Sequence, residues 1–423
     1  MDGKGMKDNK NSEKKQSVNS TDRKDSSTGF SLISFLKDRD NIVLIISSIV
    51  IILGVIALVI IFTGRNGQSG NNPTPDGDSG NASGGEEDDP LKNEIDLSKV
   101  QYKNYSFAYF DTVSTIIGFE KTQDEFAEVS NEAMNLLAEY HRLFDIYNEY
   151  EGINNVCTIN KLENGKHPVV KVDRKIIDML LYAKEMYTLT DGKMNVAMGS
   201  VLSIWHDYRE AGSLQPFNAQ LPPMELLTEA AKHTNIDDII IDEENSTVWL
   251  ADPEMKLDVG AFAKGYAVEM VARMLEEKRE YNYVVNVGGN IRTTGQRADG
   301  NKWKTGIENP AGDPAVPYIE YIGLKGEAIV SSGSYQRYYI VDGKTYHHII
   351  DSETLMPARG LLMVSVICED SAMGDGLSTA LFCMTLEEGM ALVNSLDGVE
   401  AMWVTEDEVK HYSNGFDVYI TSK

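Results

Sequence analysis

Cysteine is scarce in this chain: Cys157, Cys368 and Cys383 lie far apart, form no C-x-x-C pair and are odd in number. That pattern indicates neither a disulfide framework nor a thiolate zinc site, and cysteine alone assigns no compartment. Basic residues are in the minority, with 39 Lys plus Arg against 65 Asp plus Glu, for a net charge of −26. A surface of that sign repels phosphate backbones, so nucleic acid is a poor partner. Neither G-x-G-x-x-G nor G-x-x-x-x-G-K-[ST] occurs, which leaves standard Rossmann and P-loop nucleotide sites unsupported. Proline is sparse too, at 12 against 35 glycines. With 25% charged and 42% hydrophobic residues, the composition excludes collagen-like, wholly disordered and multi-span membrane classes. The 423 residues are enough for two or three folded units, and no fixed-period repeat is visible.

Residues 1–40 are rich in Lys, Asp, Ser, Asn and Gly without apolar periodicity, and read as a disordered tail. Ile42 to Phe62 follow as 21 residues without a charge. As a helix this run would be about 31 Å long, matching a hydrocarbon core of about 30 Å. A cleaved signal has a shorter apolar region, so the expectation is one transmembrane helix over 42–62. Arg23, Lys24, Lys37 and Arg39 precede it and only Arg65 follows closely, which places the tail in the cytoplasm and the rest outside, on a cell membrane. Residues 63–92, Gly/Ser/Asn/Asp/Pro-rich with the acidic run Glu86 to Asp89, read as a flexible linker, and 93–423 as the folded module.

In that module the spacing predicts helices over Thr122–Leu143, Asp173–Tyr187, Pro223–His233, Gly265–Glu277 and Leu377–Val393. Alternating or β-branched runs predict strands over Tyr105–Ile117, Ile239–Leu250, Tyr283–Val287, Tyr318–Leu324, Tyr338–Val341, Met363–Ile367 and Val399–Val404. The Ile239–Leu250 run is expected to be a hairpin turning at Glu243–Ser246. Helices and strands do not alternate strictly, so the expected class is α+β or mixed α/β rather than a doubly wound parallel sheet.

Five segments carry chemistry. Asp258-Val-Gly-Ala-Phe-Ala-Lys-Gly-Tyr266 leads into a helix, where backbone N–H groups and Lys264 could cradle a phosphate; Gly260 and Gly265 could equally be plain turn glycines. Val285-Asn-Val-Gly-Gly-Asn290 ends a strand in Gly-Gly, a tight turn or a place of close approach. Ile329 to Arg337 offers hydroxyls and a guanidinium to phosphate oxygens, or is only a loop. In Tyr346-His-His-Ile-Ile-Asp351, strand alternation sends His347 and His348 to opposite faces, so one of them can face a cleft as a general base, or both are structural. Asp375 and Thr379, four apart on one helix face, can put a carboxylate and a hydroxyl on one hard cation, unless Asp375 is a helix cap.

In this order, over about Tyr109 to Leu381, these segments resemble the ApbE family of FAD:protein FMN transferases. The likeness also rests on Phe110-Asp-Thr112, Leu143-Phe-Asp-Ile-Tyr147 with Ile159-Asn160, Asp191-Gly-Lys-Met-Asn195, Leu202-Ser-Ile-Trp205 and Gly306-Ile-Glu-Asn-Pro310. The sequence departs from the commoner pattern at Phe110-Asp111 (often Met-Gly), Met194-Asn195 (often Phe-Asp), Ser352 (often Pro) and Gly376 (often Ala). The resemblance implies a two-lobed, T-fold-like module binding FAD between its lobes. By motif position the flavin nucleotide would touch Phe110, Tyr147, Lys193, Met194, Asn195, Asp258, Lys264, Ile349 and Ser378. Mg²⁺ would be held by the carbonyl of Ala261 and the side chains of Asp375 and Thr379.

The implied activity is transfer of FMN from FAD to a Thr or Ser hydroxyl of an acceptor protein, with release of AMP. His348 is the candidate to take the hydroxyl proton, with Asp375 second because bound Mg²⁺ would lower its basicity. Family acceptors carry a Thr-Gly-Ala-Thr-like motif, and no such string occurs here, so the acceptor is expected to be another protein. Two other readings share these residues: an Mg²⁺-dependent FAD pyrophosphatase in which water replaces the acceptor, and a tethered flavin-binding protein without turnover.

Overall fold

The computed structural model describes residues 95–278 and 280–422; the predicted tail, membrane span and nearly all of the linker lie outside them. Strands β1 (Val100–Tyr109) and β2 (Thr112–Glu120) come first, then helices α1 (Gln123–Phe144) and α2 (Val156–Ile159). After β3 (Val170–Lys171) come α3 (Arg174–Leu189), α4 (Gly199–Leu214) and α5 (Met224–Ala230), followed by β4 (Ile239–Asp242) and β5 (Thr247–Leu250). Helix α6 (Ala263–Glu277) precedes β6 (Tyr283–Val287), β7 (Asn290–Thr294), β8 (Trp303–Glu308), β9 (Tyr318–Leu324) and β10 (Ala328–Gly333). The chain continues through β11 (Tyr338–Val341), β12 (Lys344–His347), β13 (Leu361–Cys368), α7 (Ser371–Phe382), α8 (Leu386–Val393), β14 (Glu400–Thr405) and β15 (Lys410–Tyr412).

The mixed α/β expectation holds. Eight strands form one sheet in the order β1-β2-β6-β7-β10-β13-β14-β15, every neighbour antiparallel. One side carries the main core, where Phe126, Leu137 and Tyr140 of α1 meet Tyr266 and Val271 of α6 and Leu377 and Leu381 of α7. The other side packs Phe119, Met363 and Met402 against Trp303 and Ile322 of the β8–β9 hairpin. A separate, smaller core gathers Met198, Val201 and Trp205 of the α4 segment with Leu227, Tyr339 and Leu355.

Two predicted elements are corrected. The run read as one strand over Tyr105–Ile117 is a hairpin, because the chain reverses at Phe110–Asp111 with φ of 54° and 51°. No Gly or Asn announces that turn, although both positions are left-handed. The helix expected over Leu377–Val393 is two helices. The first starts earlier, capped by Asp370, whose carboxylate accepts from Ala372 N and Met373 N. The second starts afresh at a capping box formed by Thr385 and Glu388. Asp375 therefore sits inside a helix and is not its cap. The Ile239–Leu250 hairpin does turn where expected, with Ser246 left-handed. Helices α2 and α4 and strands β3, β7, β8, β10 and β15 were not foreseen.

Candidate active site

A cavity of about 440 Å³ opens between the main core and the smaller one, with Met194, Val259, Ala263 and Ile349 from the first and Met198, Leu202 and Trp205 from the second in its walls. Its volume lies in the range of small-molecule sites. Two hairpin turns at one end of the sheet reach it. The Phe110–Asp111 turn holds a bulky residue at positive φ, a strained conformation that persists only where its surroundings impose it; here His141 Nδ1 accepts from Phe110 N at 3.3 Å and its ring packs edge-on at 5.5 Å. The Gly288–Gly289 turn explains its glycines twice over: both have positive φ, and a Cβ on Gly288 would lie 2.6 Å from Thr112 Oγ1.

Helix α7 and the turn leading into α6 supply the oxygen atoms. Gly265 lets the two helices approach so closely that a Cβ there would meet Ser371 O at 2.3 Å, so it is a contact glycine rather than a turn glycine. Its N–H donates to Asp375 Oδ2 at 2.7 Å. Asp375 is 4% exposed, and burial pushes its carboxyl above the usual range, opposed by Lys264, the Gly265 N–H and Asn290. One turn on, Thr379 Oγ1 donates to Ala261 O at 3.2 Å. An ion network, buried at Arg292 and Glu269, joins the helix pair behind them: Arg292 bridges Glu269 at 3.2 Å and Glu276 at 3.0 Å, the more exposed Arg273 bridges Glu269 and Asp370, and Ser371 N donates to Glu269.

Among the described residues no cluster of three or more His, Cys, Asp and Glu could hold a metal. The set at hand is of another kind, one carboxylate, one hydroxyl and one carbonyl, all hard oxygen donors. Adjacent ligands of an octahedral Mg²⁺ at about 2.1 Å lie about 3 Å apart, and the 3.2 Å between Thr379 Oγ1 and Ala261 O matches that spacing. A carboxylate buried without an ion pair is also relieved by a cation. The residues fit the ion.

The histidine pair divides as alternation predicts. His347 is buried, Nε2 against Ala358 O at 2.8 Å and Nδ1 accepting from Ile349 N, so both nitrogens are used structurally. His348 lines the cavity. Its Nδ1 lies 3.3 Å from Arg337 O, which fixes the neutral tautomer as Nδ1–H and leaves Nε2 an acceptor. Burial, followed by Arg337, Arg209, His347 and Lys264, pushes its pKa down to about 3 rather than leaving it near neutrality. Asp258, also on the cavity wall, is shifted up by burial, against the Gly260 N–H at 2.8 Å and the nearby His206 and Arg209.

Every predicted site residue lines this cavity except Ser378. Ser378 is fully buried behind it, its Oγ 2.8 Å from Ser332 Oγ and donating to Asp375 O, so it supports the wall instead of forming it. Lys193 is on the wall but already paired with Asp351 at 3.2 Å and Glu353 at 2.9 Å. Asn195 spends its amide on Thr234 O and Ala197 N, holding its loop. Met194 is wholly buried and belongs to both core and wall, while Tyr147 is 61% exposed with its ring 5.3 Å from His206. Sequence reasoning missed Arg209, His206 and His141. The first two follow Trp205 on α4, and the apolar spacing of Val201, Leu202 and Trp205 was the signal available for that helix.

Comparison with known proteins gives the family and the fold. The family model described as "ApbE family" matches residues 110–403, and the chain belongs to the ApbE family. It is 30% identical over 282 residues to a protein of Klebsiella pneumoniae named FAD:protein FMN transferase, covering 63% of this chain and 82% of the relative. A Haemophilus influenzae protein of the same name is 30% identical over 296 residues, covering 69% and 80%. Among solved structures, the ApbE protein of Thermotoga maritima is similar with a TM-score of 0.66 at 29% identity, covering 76% of this chain and all (100%) of that one. The flavin transferase ApbE of Vibrio cholerae gives 0.63 at 24% identity over 76% and 99%, a likeness of fold.

Proposed function

We propose that this chain is an FAD:protein FMN transferase, which moves FMN from FAD to a Thr or Ser hydroxyl of an acceptor protein and releases AMP. The observation that carries the reading is the convergence of the Ala261/Asp375/Thr379 oxygens, Lys264 and His348 on one cavity of about 440 Å³. The acceptor Oγ attacks the FMN-side phosphorus and its proton passes to His348 Nε2. The bond from that phosphorus to the bridging oxygen breaks, and the bridging oxygen leaves with AMP. Lys264 holds the diphosphate as a point charge. Asp375, Thr379 and Ala261 would hold Mg²⁺, which when bound neutralises phosphate charge and polarises the phosphoryl oxygens. Bound diphosphate also offsets the cations around His348, which raises its basicity when the substrate is in place.

Residues 42–62 support a membrane anchor, and the flanking charges support a module held outside the cytoplasm on its linker. The acceptor then is an exported or membrane protein with a Thr-Gly-Ala-Thr-like segment. Among the described residues no helix is long and apolar enough to cross a membrane. Protease added to intact cells should digest the module without lysis; digestion only after lysis refutes the outside location.

The central test is incubation of the full chain with FAD, Mg²⁺ and an acceptor bearing Thr-Gly-Ala-Thr. The expected result is FMN covalently attached to the acceptor, with one AMP released per label. Free FMN and AMP without labelled acceptor would establish a pyrophosphatase instead, and FAD binding without AMP a carrier.

A further inference from the structure

Two guanidiniums in the cavity wall have no role in the chemistry above. Arg209 of α4 and Arg337, beyond the end of β10, both line the cavity, and among the described residues neither makes an ion pair. Arg209 is half-buried and Arg337 exposed at the cavity, so together they present positive charge to it without an ion pair among the described residues. Four other arginines pair with carboxylates, Arg174 with Asp178, Arg273 and Arg292 with Glu269, and Arg297 with Asp299, whereas Arg142 and Arg359, neither of them on the cavity wall, make no ion pair among the described residues.

Both residues are held in place. Arg209 Nη2 donates to His206 Nδ1 at 3.1 Å, while His206 Nε2 lies 3.2 Å from Glu210. The carbonyl of Arg337 accepts from His348 N at 3.1 Å and from His348 Nδ1 at 3.3 Å, so this arginine is tied to the group that takes the acceptor's proton. The two guanidiniums also feel one another: burial and then the charge of Arg337 hold Arg209 below its ordinary value. Glu210 and Asp258 are the carboxylates that act on Arg209, and neither forms an ion pair with it among the described residues.

We propose that Arg209 and Arg337 form the subsite for the adenylate phosphate of FAD and take up the charge that AMP carries away. The inference rests on the reading that the chain cleaves FAD. When the acceptor Oγ bonds to the FMN-side phosphorus, the bridging oxygen departs with the adenylate phosphorus and gains the electron pair of the broken bond. Lys264 and the oxygen set at Asp375 and Thr379 serve the diphosphate from the α6–α7 side. The planar forks of Arg209 and Arg337 offer paired donors to a phosphate from the α4 side, a geometry in which arginine surpasses lysine. The pair thereby selects a ligand with a phosphate on its adenosine, and a flavin mononucleotide lacks that handle.

The test is equilibrium binding of AMP and of adenosine to the full-length protein, with no metal and at fixed low salt. The wild type should prefer AMP to adenosine by about 10-fold or more, and Arg209→Gln and Arg337→Gln should each weaken AMP about 10-fold while leaving adenosine unchanged. The double variant should bind the two ligands alike. Arg209→Lys guards against misfolding: it keeps the charge and should recover part of the AMP affinity with an unchanged melting profile. AMP affinity within twofold of wild type in both glutamine variants overturns the proposal, and so does a parallel loss of adenosine, which would assign the arginines to the nucleoside. Wild-type AMP release from FAD is measured beside it. Its absence refutes the transferase reading and leaves the AMP-to-adenosine comparison to decide whether the arginines bind an adenylate phosphate.

Discussion

The backbone N–H of Gly265 donates to Asp375 Oδ2 at 2.7 Å, and the missing side chain of the same glycine gives Asp375 its place, since a Cβ there would lie 2.4 Å from the Asp375 Cβ. One residue thus sets both the orientation of the carboxylate and the distance between α6 and α7.

Gly265→Ala should force those helices apart, because Ser371 O is backbone and cannot swing away. The expected cost is about 1–3 kcal/mol in urea unfolding. AMP release should fall by about 100-fold, as the oxygen set is displaced by an ångström or so. Wild-type stability in the variant would show that the contact yields.

Asp375→Asn separates stability from function. Burial raises the Asp375 pKa in the folded chain, so without metal the folded state keeps its proton to higher pH than the unfolded state does. Stability from this group is therefore full below the unfolded value and is lost as pH rises through the raised one. The asparagine variant should be more stable than wild type at neutral pH without Mg²⁺, gain no stability from added Mg²⁺, and release AMP at least ~100-fold more slowly. Thermal melts with and without the ion, and AMP assays, check all three.

His348 has the opposite sign. Its folded pKa of about 3 lies below the ordinary 6.5, so its contribution is full above pH 6.5 and is lost as pH falls toward 3. Between pH 7 and pH 5 the wild type should lose more stability than His348→Gln. Turnover by that variant should drop about 10² to 10⁴-fold. Equal pH slopes for the two proteins would contradict the depressed pKa.

Arg292→Met should cost about 3–5 kcal/mol, because it strands Glu269 and Glu276 beside the α6–α7 pair with less counter-charge. Chemical denaturation measures it, and a variant as stable as wild type would mean that the network contributes little.

Asp111→Gly should stabilise the protein by about 0.5–1 kcal/mol, since glycine adopts the left-handed turn at little steric cost. Denaturant midpoints would reveal no gain if the turn were held by other contacts.

Much of the site was legible as ordered motifs: the Asp258 to Tyr266 segment, His348 of the histidine pair, and Asp375 with Thr379 all reach one cavity. What failed was local. Phe110 gives no turn signal, because its left-handed backbone is held by packing on His141 rather than preferred by its side chain, and Asp111 alone is a weak one. Ser378 shares a helix with Thr379, yet one residue of helical rotation sends it behind the wall toward Ser332.

By itself the sequence determined what short-range chemistry decides. Periodicity placed most helices and strands, the i, i+4 spacing of Asp375 and Thr379 offered an oxygen pair to which the family resemblance added Ala261, and alternation separated His347 from His348. Only the tertiary structure decided which groups meet. Arg209 and Arg337 are far apart in the chain and become neighbours because α4 folds against the β11–β12 hairpin. His348 owes its low pKa to burial and to cations brought from distant segments. Fields and burial sum over neighbours in space, and no window of sequence contains those neighbours.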